Sequence, residues 1–186
     1  MVGGIVVLLL FVVVVYAASL YNHLVMLKHN VAKAWANIDV LLKQRHEELP
    51  KLVTVCKQHM QYEQSLFEDL ARARTATMTA GAAHNTNALG AAETKLRQYT
   101  GQLFALAESY PELRVNQTFM QLSRRIAELE TAIADRRVFY NDTVQLNNAG
   151  VEQFPGSVFA RMFAFKQVAS LEFGVAERAN VSAWNV

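Results

Sequence analysis

From Val2 to Leu20 the chain reads VGGIVVLLLFVVVVYAASL, without a charged side chain, and the next Lys or Arg is Lys28. No other stretch restricts the possible folds so tightly. As a helix rising about 1.5 Å per residue the run is roughly 29 Å long, close to one hydrocarbon core. Val2, Ile5, Leu10, Val15 and Leu20 mark its length, and charged residues are absent because lipid makes them costly. A cleavable signal peptide would need a basic leader and a shorter apolar core. Here Met1 leads straight into the apolar run, and Tyr16-Ala17-Ala18 is a poor cleavage site. The expectation is a retained single-pass anchor over residues 1–21. Lys28 and Lys33 follow it with no Lys or Arg before it, which places the N-terminus outside and the remaining chain in the cytoplasm. The single Cys56 cannot form an intramolecular disulfide, in keeping with that side of the membrane.

The rest has a formal net charge near zero, +2 for the whole chain, with acids and bases interleaved. No one-sided basic surface exists for nucleic acid, so that partner is set aside. Only three prolines interrupt long stretches rich in Ala, Leu, Glu, Gln, Lys and Arg, which predicts an all-α fold. The anchor is expected to run into a long helix fading near Met78–Gly81, with a bend at Pro50. Its apolar positions, among them Leu27, Val31, Trp35, Ile38, Leu42, Leu49 and Leu52, keep to one face. A connection rich in Gly and Asn follows, with Asn87 as a candidate N-cap. A second helix carries Leu89, Ala92, Leu96, Tyr99, Leu103 and Leu106 and ends at Pro111. Asn116 can cap a third, whose stripe runs Phe119, Leu122, Ile126, Leu129, Ile133, Arg136, Tyr140, Thr143 and which stops before Phe154-Pro155-Gly156. Residues 22–153 thus read as a cytoplasmic antiparallel bundle of three main helices. Residues 154–186 read as a short amphipathic helix and a tail.

A first helix reaching Met78 would outrun both partners and leave Trp35, Ile38 and Leu42 as a bare apolar stripe. That geometry predicts homo-oligomerisation, unless the C-terminal segment or a break near Pro50 covers the stripe. Phe159 and Phe163, in the aromatic stretch SVFARMFAFK, are further interface candidates. This stretch could lie on lipid, on the first helix or on a neighbour. Its low charge favours packing on protein.

Catalytic and cofactor motifs are not found. None of the five histidines has a Glu three residues before it, and neither HExxH, GxSxG nor a Gly-rich phosphate loop occurs. Cys56 and His59 share a helix face on paper, but two ligands do not make a metal site. The expectation is no enzyme activity, no metal and no cofactor. Arg45, Glu63, Arg136, Tyr140 and Asp142 are the polar residues worth following. Their structural reading is a set of buried pairs that fix helix register, with Asp142 paired to an arginine and the Tyr140 hydroxyl bonded. Their functional reading is a ligand or partner site in the bundle.

Ordered blocks across nearly the whole chain resemble the LemA family of bacterial membrane proteins. They are Tyr21-Asn22-His23-Leu24-Val25, Ala34-Trp35-x-x-Ile38-Asp39-Val40-x-Leu42, Arg45-His46-x-x-x-Pro50-x-Leu52-Val53 and Ala71-Arg72-Ala73. Tyr110-Pro111-Glu112-Leu113, Phe119-x-x-Leu122, Glu130-x-x-Ile133, Arg137-x-Phe139-Tyr140-Asn141-Asp142-x-Val144 and Phe154-Pro155 complete them. The loop around Gly81–Asn87 and the Gly174–Asn180 tail depart from the family pattern. The resemblance implies a helical bundle behind one transmembrane helix. It also implies a structural or scaffolding role at the bacterial inner membrane, without an established enzymatic activity. An adaptor for another envelope protein, such as a membrane protease, and a ligand-binding sensor are the alternatives.

Overall fold

The computed structural model describes residues 2–172. Among them it has six helices and no strand: α1 (Val2–Lys57), α2 (Gln64–Ala82), α3 (Thr86–Ala107), α4 (Pro111–Arg114), α5 (Gln117–Glu152) and α6 (Gly156–Met162). The all-α class is as read from the sequence. The expectations for the tail beyond Glu172 lie outside the described residues.

Over its first turns α1 is covered by no other part of the described chain. The Ser19 hydroxyl donates to the Val15 carbonyl at 3.0 Å, so the hydroxyl is satisfied within the helix. The helix continues through Pro50 without interruption but stops at Lys57, not near Met78. Nothing in residues 58–63 is a Pro or Gly, so the break is tertiary in origin. Leaving the helix lets Met60 bury while Tyr62 stays in water at 92% exposure. This break also removes the length mismatch. From Tyr21 to Lys57 α1 measures about 55 Å, against about 54 Å for the 36 residues of α5.

The other boundaries follow local chemistry. Asn116 caps α5, its side chain accepting from the Phe119 N–H at 3.1 Å. The cap of α3 is Asn85, accepting from the Ala88 N–H, in place of the expected Asn87. Gly81 remains inside α2, and His84 takes the left-handed conformation (φ 50°) that turns the chain.

The described chain divides into two compact units. One comprises residues 37–137 with 171–172 and is a helical bundle. Leu49, Leu52, Cys56, Met60, Phe67, Leu70, Leu96, Leu103, Leu113 and Ile126 form its core. The other comprises residues 2–36 with 138–170. Here Leu24 and Leu27 of α1 pack against Ala160, with Val151, Phe159 and Phe165 around them. Gly150 allows the close approach of Leu27, and a side chain at Gly156 would meet the Gly150 carbonyl. After α6 the chain runs back along α5, held by side chains: Asn148 both accepts from the Val168 N–H and donates to its carbonyl, each at 2.9 Å. The Asn147 amide and the Tyr140 hydroxyl donate to the Lys166 and Ala169 carbonyls.

The apolar stripe on α1 is therefore not bare. Leu24, Leu27, Val31, Ala34 and Ile38 are buried, Leu42 is half-buried, and the Trp35 ring stands edge-on to Tyr140 at 5.6 Å. Tyr140 of α5 meets Trp35, and Ala160, Val151 and Phe165 pack around Leu24 and Leu27, so this part of the stripe is covered within the chain.

Candidate functional site

The most concentrated chemistry in the bundle unit surrounds Arg45. Its position in the apolar seam of α1, between Ile38 and Leu49, forces the guanidinium inward, where it is 2% exposed. Two carboxylates meet it there. Nη2 donates to both oxygens of Glu93, on α3, at 2.5 and 2.6 Å, and Nη1 donates to Glu130, on α5, at 2.8 Å. Arg97 Nε reaches the other Glu130 oxygen at 3.3 Å from the half-exposed edge. Charges balance, two cations against two anions, and one residue ties three helices together.

Burial opposes the Arg45 charge, but Glu93 and Glu130 outweigh it and hold the guanidinium above its ordinary pKa. Burial also pushes Glu93 upward, and the pull of Arg45 does not fully offset it. Arg45 Nε finds no partner among the described residues. The geometry suits a structural clamp. Arg45 and Glu93 are closed off from solvent and turned to one another, while Arg97 reaches the half-exposed edge.

The neighbouring His46 is half-buried, and its Nδ1 has no hydrogen bond among the described residues. Burial lowers its pKa below 6.5, Arg74 and Arg45 add to that, and Glu47 opposes it. The unfolded chain therefore takes up a proton that the native state resists just below pH 6.5. Stability contributed by neutral His46 is present above that pH and is lost as pH falls. Thermal melts between about pH 7 and about pH 5.5 are expected to show a smaller drop in Tm for His46→Gln than for the native chain. Equal drops would clear His46 of this role.

The other polar candidates do not converge on Arg45. Glu63 is half-buried and accepts from the Tyr110 hydroxyl at 3.4 Å. Tyr140 packs on Trp35 as described, while Arg136 and Asp142 are exposed, so neither is a buried pair. The Cys56 and His59 pairing also dissolves. Cys56 sits in the core, and His59 lies past the end of α1 with Nδ1 3.0 Å from Glu112. Among the described residues no group of three or more His, Cys, Asp or Glu side chains is placed to hold a metal. Sequence reasoning missed Glu93 and Glu130, although both fall on three–four steps of their helices' apolar seams.

The aromatic segment packs on α1. Tyr21, the first residue past the apolar run, meets Phe163 edge-on at 4.8 Å and Phe165 at 5.9 Å, and Phe159 stacks on Phe163 at 6.4 Å. Phe159 is half-buried, while Phe154, Val158, Met162 and Phe163 are exposed.

A long apolar helix that leads without a loop into an all-α bundle, its interior charges matched to one another, defines a membrane-associated helical-bundle protein. The chain belongs to the LemA family, whose sequence profile matches residues 34–183. Among curated relatives it is 24% identical to magnetosome proteins MamQ 1 and MamQ 2 of Paramagnetospirillum magneticum, over 83% of this chain and 66% of theirs. It is 21% identical to magnetosome protein MamQ of Magnetospirillum gryphiswaldense, over 80% of this chain and 63% of that one. The chain thus spans just under two thirds of the length of these relatives.

Proposed function

We propose that this is a non-enzymatic membrane anchor and bundle that self-assembles and scaffolds or shapes the bacterial inner membrane. In this reading the N-terminus lies outside and the bundle in the cytoplasm. The observation that carries the reading is the uninterrupted α1, which takes the chain from its apolar run into the bundle with no linker between them. Similarity to magnetosome proteins of two bacteria supports a membrane-associated protein of a bacterium.

Self-assembly needs a face, and α5 offers one. Val138, Phe139 and Leu146 are 57%, 51% and 63% exposed, and helical spacing gathers them on one side around Asp142. Extracted in mild detergent, the full chain is expected to form particles of several copies. Phe139→Asp with Leu146→Asp is expected to reduce them to single subunits, as read by light scattering after size exclusion. A native chain that sediments as one subunit would remove the reading. A heterologous envelope protein recovered in stoichiometric amount, in place of homomeric particles, would favour the adaptor alternative.

A further inference from the structure

We propose that the outward face of α6, with Phe154 before it, lies in the headgroup region of the bilayer and clamps α1 where that helix leaves the hydrocarbon. The inference rests on the membrane-spanning reading of residues 2–20 and adds a second, reversible lipid contact to it. Level and composition both point that way. Tyr21 follows the apolar run directly, and it is Tyr21 that holds Phe163 and Phe165. The segment is therefore held within about two turns, roughly 10 Å, of the bilayer exit, at the headgroup level where interfacial helices lie. Its inner side is already used, since Ala160 and Phe159 pack on Leu24 and Leu27.

Its outer side exposes Phe154 at 84%, Val158 at 54%, Met162 at 64% and Phe163 at 49%, with Arg161 and Lys166 also exposed. Large apolar side chains beside two cations match the boundary between acyl chains and anionic headgroups. A second copy is the competing occupant. A two-fold contact through so small a face would bring Arg161 close to its own symmetry mate, and lipid at this level would first have to be displaced.

The test uses the full chain in vesicles of phosphatidylcholine and phosphatidylglycerol, with bimane placed on Met162→Cys, Val158→Cys, Tyr62→Cys or Leu10→Cys. Native Cys56 does not compete, because it is fully buried and burial pushes its thiol up to about 11. With nitroxide lipids labelled near the headgroup, probes at 158 and 162 are expected to be quenched roughly threefold more than the probe at 62. Equal quenching at 162 and 62, with the probe at 10 quenched by nitroxides deep in the acyl chains, overturns this inference and leaves the anchor standing. An unquenched probe at 10 removes the anchor and this inference together. Excimer emission from pyrene on Met162→Cys, without lipid quenching, gives the face to a second copy and likewise overturns the proposal.

Discussion

Replacing Arg45 with methionine is expected to lower the unfolding free energy by about 3–5 kcal/mol. The side chain removed is nearly isosteric, so little packing is lost, but Glu93 at 3% exposure is left without a counter-charge. Glu130, at 18%, keeps Arg97 and loses less. The deficit should depend on pH in a defined sense. Burial already raises the Glu93 carboxyl above 4.5, and without Arg45 nothing comparable opposes it. A carboxyl whose folded pKa is raised contributes fully at low pH and is penalised as pH rises through that value. The variant should therefore approach native stability in acid and fall away from it toward neutral pH. Guanidinium denaturation followed by circular dichroism in detergent micelles, once in acid and once at neutral pH, reads the difference. Replacing Arg45 and both carboxylates, Arg45→Met with Glu93→Leu and Glu130→Leu, is expected to return stability to within about 1 kcal/mol of native. A single Arg45→Met variant as stable as the native chain at neutral pH would show that the clamp does not hold the three helices.

That clamp marks how far the sequence could be read. Residues that answer to local chemistry were legible: the uncharged run ahead of Lys28, the cap at Asn116, the stop before Pro111 and the seam from Phe119 to Thr143, save Arg136, which is exposed. Arg45 also stood out as a charge on an apolar face. Its partner Glu93 lies 48 residues away, and no local rule announces such a pairing. Yet Leu89, Glu93, Leu96, Thr100 and Leu103 step by three and four and are all buried, so the seam itself held the signal. The same period carries Tyr140 to Val144 and Asn147, which is how a buried asparagine comes to hold the returning C-terminal segment. The break at residues 58–63 is different in kind. Met60 and Phe67 gain burial by leaving helical register there, and only the finished core decides that trade. A helix taken as reaching Met78 has no partner long enough to cover its stripe, whereas α1 stops at Lys57 and its stripe from Leu24 to Ile38 is buried.

Ile38 now separates a folding role from an assembly role. It is wholly buried within one chain, so Ile38→Ala should cost about 2–5 kcal/mol through lost burial and the cavity left behind. Particle size in detergent should not change, because the side chain is not at the surface to meet a neighbour. Substitution at Phe139 and Leu146 should behave in the opposite way. Both are about half or more exposed, so charging them costs the fold little while removing apolar area from the outer face of α5. Measured side by side, thermal stability and particle mass should move independently in the two variants. If Ile38→Ala instead dissolved the particles with its melting temperature intact, α1 would be facing a second chain, and the cover over its stripe would have to come from there.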